Sequence, residues 1–418
     1  MGWVWPFRKW RCPFCFKLFY LGDAPTRSLS GSKEPDFEIG RFLRCRPPEM
    51  GRVERPKQAK LLERLWRRMW IRHDPDKKKI CPHCHMYLPI QLAQGQLQGE
   101  ILAIVGPRSA GKSTYFAVLL WVLEHRYAEE VGFSLFAQET FSVQLQQPVS
   151  SRDLYQTRYG HRLFTANLPL DGTHSAGQNQ DILIPLIYRM QFPRRPMGGF
   201  QWPFSPLRAV DLVIFDAAGE DLEDLQKQEQ FARYIAAASG IIFLLDPLAF
   251  PAVRNLLPSE VSQTIAFNQG NPQEVIDGAI RVLEQRNAWA AGQKFPIPVA
   301  LTLTKIDLLY PLIKLVDPGS RLLQDSQHLG GFNDQDSQKC SRELQDYLSQ
   351  WGAGSILRLL EHRFLDYRCF AVGALEGLPD QEGKIRISPY RIADPLLWLL
   401  WKRGYIGLAQ TDQKETTR

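Results

Sequence analysis

The sequence predicts an α/β protein in which a mostly parallel sheet lies between two layers of helices, with a small N-terminal zinc-binding module. From about residue 97 onward, short continuous apolar segments alternate with segments of helical periodicity, a pattern typical of parallel strands covered on both faces. Segment 181–215 differs, because a Pro- and Gly-rich loop joins its two strands without room for a helix. We therefore expect one antiparallel hairpin at an edge of the sheet. Two Cys-Pro-x-Cys motifs near the N-terminus predict the metal module.

The elements can be placed in chain order from hydrophobic periodicity. The compact apolar stretch 97–106 predicts a strand, and 112–130 has the length and periodicity of a helix. Further strands are predicted at 181–192, 207–215, 240–246, 297–305 and 366–372. Helices are predicted at 224–239, 272–292, 341–351, 354–365 and 394–404. The last of these has Pro395 near its start and Gly404 at its end, the residues expected at those helix positions.

Charge divides the chain into two parts. Residues 1–100 contain 20 Lys and Arg against 10 Asp and Glu, whereas the remainder has 31 basic and 34 acidic residues. We predict a basic cysteine module at 1–96, an α/β domain at 97–405 and a polar tail at 406–418. Any electrostatic attraction to a partner is expected in the first of these. The sequence shows no secretory signal and no apolar run near 18 residues, which predicts a cytoplasmic protein.

The stretch "GPRSAGKS" contains the spacing G-x-x-x-x-G-K-S between a predicted strand and a predicted helix. Glycines let backbone N–H groups face phosphate oxygens, the helix N-terminus adds positive potential, and Lys112 adds a point charge. The hydroxyl of Ser113 is suited to Mg²⁺. We predict that this loop binds a nucleoside triphosphate. Its binding residues are Gly106, Arg108, Ser109, Ala110, Gly111, Lys112, Ser113 and Thr114.

A second apolar strand ends in "FDAAGED". Asp216, at the end of that strand, is expected to hold Mg²⁺ beside the phosphate loop. Gly219 lets a backbone N–H approach the γ-phosphate. The alternative is that Asp216 is only the N-cap of the following helix.

A third strand ends in Thr304-Lys305-Ile306-Asp307. The carboxylate of Asp307 can accept hydrogen bonds from N1–H and the 2-amino group of guanine, whereas adenine offers no such pair of donors. The stem of Lys305 can lie along the plane of the base. T-K-x-D alone is a weak signal. Its position after the two motifs above favours GTP over ATP.

These three motifs, in this order, resemble those of the Ras-like, translation-factor-related P-loop GTPases over residues 97–404. The resemblance implies a P-loop GTPase domain, GTP hydrolysis and Mg²⁺ as cofactor. It also makes "CFAVGALEG" similar to the fifth motif of that class, with Ala374 and Leu375 near the guanine O6, although Gly373 stands where the family usually has Ser. "FDAAGED", "FLLDPL" and "RIADPLLWLL" are similar to the double-GTPase proteins of bacterial conflict systems. That narrower resemblance implies protein partners from the same operon.

The resemblance also implies three catalytic residues, Lys112, Thr173 and Glu220. Thr173 precedes the hairpin strand and is our choice for the switch threonine that completes the Mg²⁺ shell, with Thr165 as the alternative. Glu220 takes the place of the Gln that orients the attacking water in Ras-like enzymes; alternatively it is a first-turn acid that complements the helix dipole. Arg108 either supplies charge to the γ-phosphate or points to solvent. We expect slow hydrolysis that a partner accelerates.

The motifs "CPFC" and "CPHC" place Cys12, Cys15, Cys81 and Cys84 as two pairs of thiolates. Two such knuckles complete a tetrahedral S₄ site, which predicts Zn²⁺, with iron as the alternative metal. Other readings are a redox pair, two disulfides, or His73, His83 or His85 in place of one cysteine. Segment 41–80 is basic and includes an amphipathic helical pattern. It either packs on the α/β domain or contacts a protein partner, nucleic acid or an anionic membrane.

Three functional alternatives to a GTPase switch remain open from the sequence. The first is a scaffold that binds nucleotide without useful turnover. The second is a zinc-module nucleic-acid binder that nucleotide regulates. An ATP-dependent enzyme would require T-K-I-D to be accidental.

Overall fold

The computed structural model describes residues 2–3, 7–56, 61–71, 74–95, 99–107, 109–170, 184–193, 208–214, 225–257, 270–286, 289 and 292–409. Within these ranges, no helix combines the length and the apolar character that a membrane crossing requires.

The N-terminal part consists of short strands and helices around the four cysteines. Its strands are β1 (Gly2–Trp3), β2 (Trp10–Arg11), β3 (Leu18–Phe19), β4 (Thr26–Ser28), β5 (Lys33–Pro35), β6 (Glu49–Gly51), β7 (Val53–Glu54), β8 (Trp70–Ile71) and β9 (Lys77–Lys79). Its helices are α1 (Phe37–Leu43), α2 (Leu61–Met69) and α3 (Ile90–Ala93). The strands pair as β7-β4-β9, β1–β8, β2–β3 and β5–β6. Helix α1 begins where the Asp36 carboxylate accepts two backbone N–H groups and ends at Arg44, which adopts a left-handed conformation.

A seven-stranded sheet forms the centre of the protein. Its strands are β10 (Glu100–Val105), β11 (Ser134–Ala137), β14 (Leu186–Phe192), β15 (Arg208–Ile214), β16 (Ala238–Leu245), β17 (Val299–Leu303) and β18 (Tyr367–Ala371). They lie in the order β11-β14-β15-β10-β16-β17-β18. The five neighbouring strands β15, β10, β16, β17 and β18 are mutually parallel, whereas β14 runs antiparallel to both β15 and β11. Two separate hairpins pair β12 (Glu139–Ser142) with β13 (Gln147–Ser150), and β19 (Gly373–Leu375) with β20 (Ile387–Tyr390).

Helices cover both faces of the sheet. They are α4 (Lys112–Val122), α5 (Ala128–Val131), α6 (Ser151–Tyr155), α7 (Leu225–Ala237), α8 (Pro251–Leu256), α9 (Pro272–Arg286), α10 (Tyr310–Val316), α11 (Asp334–Gln350), α12 (Gly354–Arg363) and α13 (Asp394–Lys402), with π-helical turns at Leu123–Tyr127 and Gln156–Thr165. Alternate residues of β10 point to opposite faces. Leu102 and Ile104 join the apolar cluster formed with α4 and α13, and Ala103 and Val105 join the one formed with α7 and α9.

This architecture confirms the prediction of a mixed α/β protein with a largely parallel sheet. The predicted hairpin is present, since β14 and β15 pair antiparallel. Its position at the edge was wrong, because β11 pairs with β14 and forms the edge itself. None of the elements predicted from hydrophobic periodicity lies between residues 130 and 181, where the structure has β11, the β12–β13 hairpin and α6. Strands of four residues are too short to show a clear period in the sequence.

A buried ion pair joins β14 to β15. Arg189 and Asp211 are directly opposite one another in the ladder. Arg189 Nε lies 2.7 Å from Asp211 Oδ1, and Nη2 lies 2.8 Å from Oδ2. Their side chains are 0% and 3% exposed. Gly99 packs against this carboxylate so closely that a Cβ there would collide with it, and Arg189 Nη1 also donates to Gln91 Oε1 at 3.1 Å.

The N-terminal part packs on the α/β part through apolar and polar contacts. Trp10, Phe14 and Phe16 belong to the same apolar cluster as α7 and α9. At the periphery, Lys78 Nζ lies 2.7 Å from Glu139 Oε1 on β12. The domain limits at residues 96 and 405 remain predictions.

Candidate functional site

The phosphate-loop motif forms the turn between β10 and α4. Gly106 lies so close to β16 that a Cβ there would be 2.9 Å from the carbonyl oxygen of Leu244, so a larger residue would push the loop away from the sheet. Gly111 has φ of +74°, which favours glycine, and it immediately precedes Lys112, the first residue of α4. The Lys112 ammonium donates to the carbonyls of Gly106 and Pro107 at 3.0 and 2.9 Å. The ammonium group of Lys112 therefore lies against the backbone of the phosphate loop.

The Thr304–Asp307 loop lies beside the phosphate loop. Thr304 Oγ1 is buried 3.0 Å from the carbonyl oxygens of both Ala110 and Leu245, so its hydroxyl connects the phosphate loop to the end of β16. The Lys305 ammonium donates to the carbonyl of Ser109 at 3.1 Å and to Asp246 Oδ2 at 2.7 Å. Two side chains of the predicted base-reading loop thus contact the phosphate loop directly.

The other side of the Thr304–Asp307 loop faces the segment that begins with β19. Asp307 Oδ2 accepts the backbone N–H of Gly377 at 3.0 Å. A Cβ at Gly373 would lie 3.5 Å from Asp307 Oδ1, so this glycine stands directly beside the carboxylate. Ala374 and Leu375 follow in β19 and are partly buried against the α4 cluster. The structure therefore brings together the phosphate loop, the T-K-I-D loop and the G-A-L segment, three regions far apart in the sequence.

Burial makes the Asp307 carboxyl a weaker acid than an ordinary aspartate. It raises the pKa of this half-buried carboxyl to about 6, although the Gly377 N–H and the charge of Lys305 act in the opposite direction. A carboxylate that is partly removed from water and has few donors is a strong acceptor for N–H groups of a ligand. This chemistry suits the recognition of paired donors such as those of guanine.

Asp246 belongs to this site, although no motif in the sequence singled it out. Its side chain is 2% exposed and holds the Lys305 ammonium, while its Oδ1 accepts the backbone N–H of Leu248 and starts a 3₁₀ turn. The available signal was an acid closing the apolar strand "FLLD", the same pattern that identified Asp216.

Several predicted site residues lie outside the described residues. These are Arg108, Thr173, Asp216, Gly219 and Glu220. The alternative switch residue Thr165 is exposed at the end of the second π-helical turn. Ser113 and Thr114 lie in the first turn of α4 and are partly buried. The predicted Mg²⁺ ligands can therefore be located only at Ser113.

The four cysteines form one buried cluster. The Sγ atoms of Cys12, Cys15, Cys81 and Cys84 all lie within 4.8 Å of one another, and the side chains are at most 2% exposed. Cys12 and Cys84 are 3.7 Å apart at sulfur, as are Cys15 and Cys81. Tetrahedral Zn–S bonds of about 2.3 Å place sulfurs about 3.8 Å apart. The four thiols are free of disulfides, so the cluster has the composition and spacing to hold a metal ion.

The two knuckles have the same backbone design. Phe14 N–H and His83 N–H each point to the first sulfur of their knuckle at 3.4 Å. Phe16 and His85, which follow the second cysteines, both have positive φ, at 60° and 54°. Backbone N–H groups directed at sulfur stabilise thiolates, and the matching turns present both pairs to one point. This shared geometry supports metal binding over a redox pair.

The histidines next to the cysteines have other partners. His85 Nδ1 lies 2.9 Å from Asp36 Oδ2, in a buried cluster where Arg27 also pairs with Asp36. His83 Nε2 lies 3.2 Å from the Leu18 carbonyl, and His73 is outside the described residues.

Burial raises the pKa of the Cys12 and Cys84 thiols well above the usual range, so without a cation these thiols stay protonated.

Fold and site together define a mixed α/β protein with a largely parallel sheet, a glycine-rich strand–loop–helix turn and a four-cysteine cluster that could bind zinc. No protein-family model matches the chain.

One relative is the proposed ESX-1 scaffolding and assembly protein SaeC of Mycolicibacterium smegmatis. It is 28% identical over 346 residues, an alignment that covers 77% of this chain and 79% of SaeC. A chain of the signal recognition particle receptor SRb-GTP/SRX complex from Chaetomium thermophilum aligns with 66% of this chain and 91% of its own length. Its TM-score is 0.26 and its sequence identity 12%, so this alignment adds nothing to the fold that the strands define.

Proposed function

We propose that this protein binds GTP together with Mg²⁺ and hydrolyses it to GDP and phosphate as a molecular switch. One observation carries the proposal: the T-K-I-D loop is bonded to the phosphate loop on one side and to the segment after β19 on the other. A nucleotide held by the phosphate loop would thus have a guanine-selective carboxylate within reach of its base. The strand–loop–helix context of G-x-x-x-x-G-K-S supports the same assignment.

In this proposal different residues bind different parts of the nucleotide. Lys112 neutralises the phosphates and the N-terminus of α4 adds positive potential. Asp307 accepts the two guanine donors, with Ala374 and Leu375 near O6. Mg²⁺, when bound, would be held by Ser113 with Asp216 and Thr173, and would neutralise charge on the β- and γ-phosphates.

The water-orienting role of Glu220 and the charge of Arg108 remain predictions. A carboxylate beside the γ-phosphate is repelled unless it is protonated or neutralised by a cation, so we expect slow turnover without a partner.

A nucleotide-binding scaffold with little turnover is the second candidate. SaeC is described as a scaffolding and assembly protein, and its alignment covers 77% of this chain. In either case we propose that the cysteine module docks a protein partner in the cytoplasm. Nucleic-acid or anionic-membrane contact through 41–80, and a place in a bacterial conflict operon, remain predictions from the sequence.

Nucleotide specificity is the first test. A fluorescent GTP analogue bound to the full chain is displaced by unlabelled GTP, ATP or xanthosine triphosphate. We expect GTP to displace it at least tenfold better than ATP, and Lys112→Ala to abolish binding. Asp307→Asn should shift the preference to xanthosine triphosphate, because an amide N–H can donate to its 2-oxo group. Asp346→Asn, at an exposed position on α11, is the matched control. Equal displacement by ATP would refute the assignment of the base-reading loop.

Turnover separates the two candidates. Phosphate release from the full chain mixed with GTP, compared with the same mixture containing the Lys112→Ala chain as the background, should be slow but measurable for a switch. Tight binding with no release above background would instead support the scaffold.

A further inference from the structure

The cysteine module contacts one helix of the α/β part in particular. The knuckle Cys12–Cys15 presents its backbone to α7, where Arg233 Nε donates to the Cys15 carbonyl at 3.0 Å and Gln230 Nε2 donates to the Phe14 carbonyl at 3.1 Å. The ring of Phe16 packs on that of Tyr234 with 5.3 Å between centroids. Helix α7 is therefore fixed to the backbone of a predicted metal knuckle.

The same helix also contacts the strands that lead to the nucleotide site. The hydroxyl of the fully buried Tyr234 donates to the Val213 carbonyl at 2.7 Å and accepts the Ile104 N–H at 2.9 Å. The ladder between β10 and β15 ends at the pair Ala103–Val213, so this hydroxyl continues the connection where the strands separate. Ile104 is close to Gly106 of the phosphate loop, and Val213 is close to Asp216 in sequence. A movement of α7 would therefore act on both strands near their carboxyl ends.

We propose that α7 couples the four-cysteine module to the nucleotide site, so that Zn²⁺ and guanine nucleotide strengthen each other's binding. The inference rests on the proposed function for its second ligand. Zn²⁺ would order the knuckle whose carbonyls hold Gln230 and Arg233, and thereby position Tyr234 between β10 and β15. A first ligand that has already ordered a shared element lowers the cost of ordering for the second. Coupling of this kind is reciprocal in binding free energy.

The coupling can be measured without reference to activity. The full chain loaded with Zn²⁺ is titrated with a chromophoric chelator, with and without a non-hydrolysable GTP analogue and Mg²⁺. We expect the analogue to raise the apparent Zn²⁺ affinity about fivefold or more, within the usual range of coupling between sites. Free nucleotide also binds Zn²⁺, so the Lys112→Ala chain in the same buffer gives the background. By reciprocity, removal of Zn²⁺ should weaken binding of the analogue by the same factor.

The path through α7 is tested with the double variant Gln230→Met/Arg233→Met, which keeps the length of the first side chain, shortens the second and removes the donors to the knuckle. We expect this variant to bind each ligand while the coupling factor falls severalfold. Arg281→Met, at an exposed position on the neighbouring α9, should leave the factor unchanged. Gln230→Met alone, at a half-buried site, replaces the double variant if the latter unfolds at a lower temperature than wild type.

The outcomes distinguish the two proposals. If the GTP analogue binds but changes Zn²⁺ affinity less than twofold over background, the coupling is refuted and the proposed function stands. If the coupling is present but the same in the α7 variants, its route through this helix is wrong. If the analogue does not bind at all, the proposed function itself fails.

Discussion

The ion pair between Arg189 and Asp211 makes a quantitative prediction about stability. Asp211→Ala would leave the Arg189 guanidinium buried with Gln91 Oε1 among its remaining partners. Breaking a buried ion pair by removing one partner costs about 3–5 kcal/mol, because the other charge stays out of water. The hydrogen bond to Gln91 offsets part of this cost. We therefore expect the free energy of unfolding to fall by about 3 kcal/mol.

The assay is urea unfolding followed by tryptophan fluorescence, with the midpoint compared at an unchanged slope m. Glu376→Ala is the matched control, because its partner Arg386 is 81% exposed and Glu376 is 57% exposed. Such surface pairs contribute about 0.2–1 kcal/mol. Replacing both buried partners, as Arg189→Met/Asp211→Leu, should recover most of the loss. An Asp211→Ala change that costs no more than the control, or a double variant as unstable as the single one, would show that this reasoning is wrong.

The described residues support four further predictions. Guanine-nucleotide affinity should be independent of pH above about pH 6. Below that pH it should decrease, by up to about tenfold for each pH unit, because Asp307 binds the base only when it is ionised. Fluorescence titrations at a series of pH values measure this. Since the raised pKa means that the folded state holds this proton more tightly than the unfolded chain, stability should decline from about pH 4 to 6, and Asp307→Asn should remove that slope. Cys84→Ser should lower bound zinc below one ion per chain and destabilise the module, as measured by chelator release and thermal unfolding. Tyr234→Phe should cost about 2–4 kcal/mol in urea unfolding, because the Ile104 N–H and the Val213 carbonyl each lose a buried partner; a loss below about 0.5 kcal/mol would contradict the bridging role.

The sequence was sufficient where function places particular residues at the end of a strand. Gly106, Thr304 and Asp307 follow apolar segments that can be recognised by eye, and the carboxyl ends of parallel strands meet at one edge of a sheet. Their proximity could therefore be predicted. The cysteine cluster could be predicted for a related reason, because the two-residue spacing within each knuckle already directs both sulfurs to one point.

Other contacts depend on register and tertiary packing, which a single sequence does not encode in any local pattern. The pairing of Arg189 with Asp211 requires the alignment of β14 on β15 across a loop. Asp246 reaches Lys305 only because β16 and β17 are neighbours in the sheet. The docking of the knuckle on α7 joins residues more than 200 positions apart in the chain, and nothing near Gln230 or Arg233 in the sequence indicates it.

The distance along the chain between the knuckle and its docking helix has a consequence for biosynthesis. Phe14 and its partner Gln230 are 216 residues apart, whereas Cys12 and Cys84 are separated by 72. At about 5–20 residues per second, α7 leaves the ribosome roughly 10–40 s after the first knuckle. The first thiols wait for the second pair for about a third of that interval, and the aromatic surface of Phe14 and Phe16 is not covered by α7 until the interval ends. The Cys12–Cys15 knuckle is therefore made before the helix on which it docks, and it can reach its final packing only after α7 has been made.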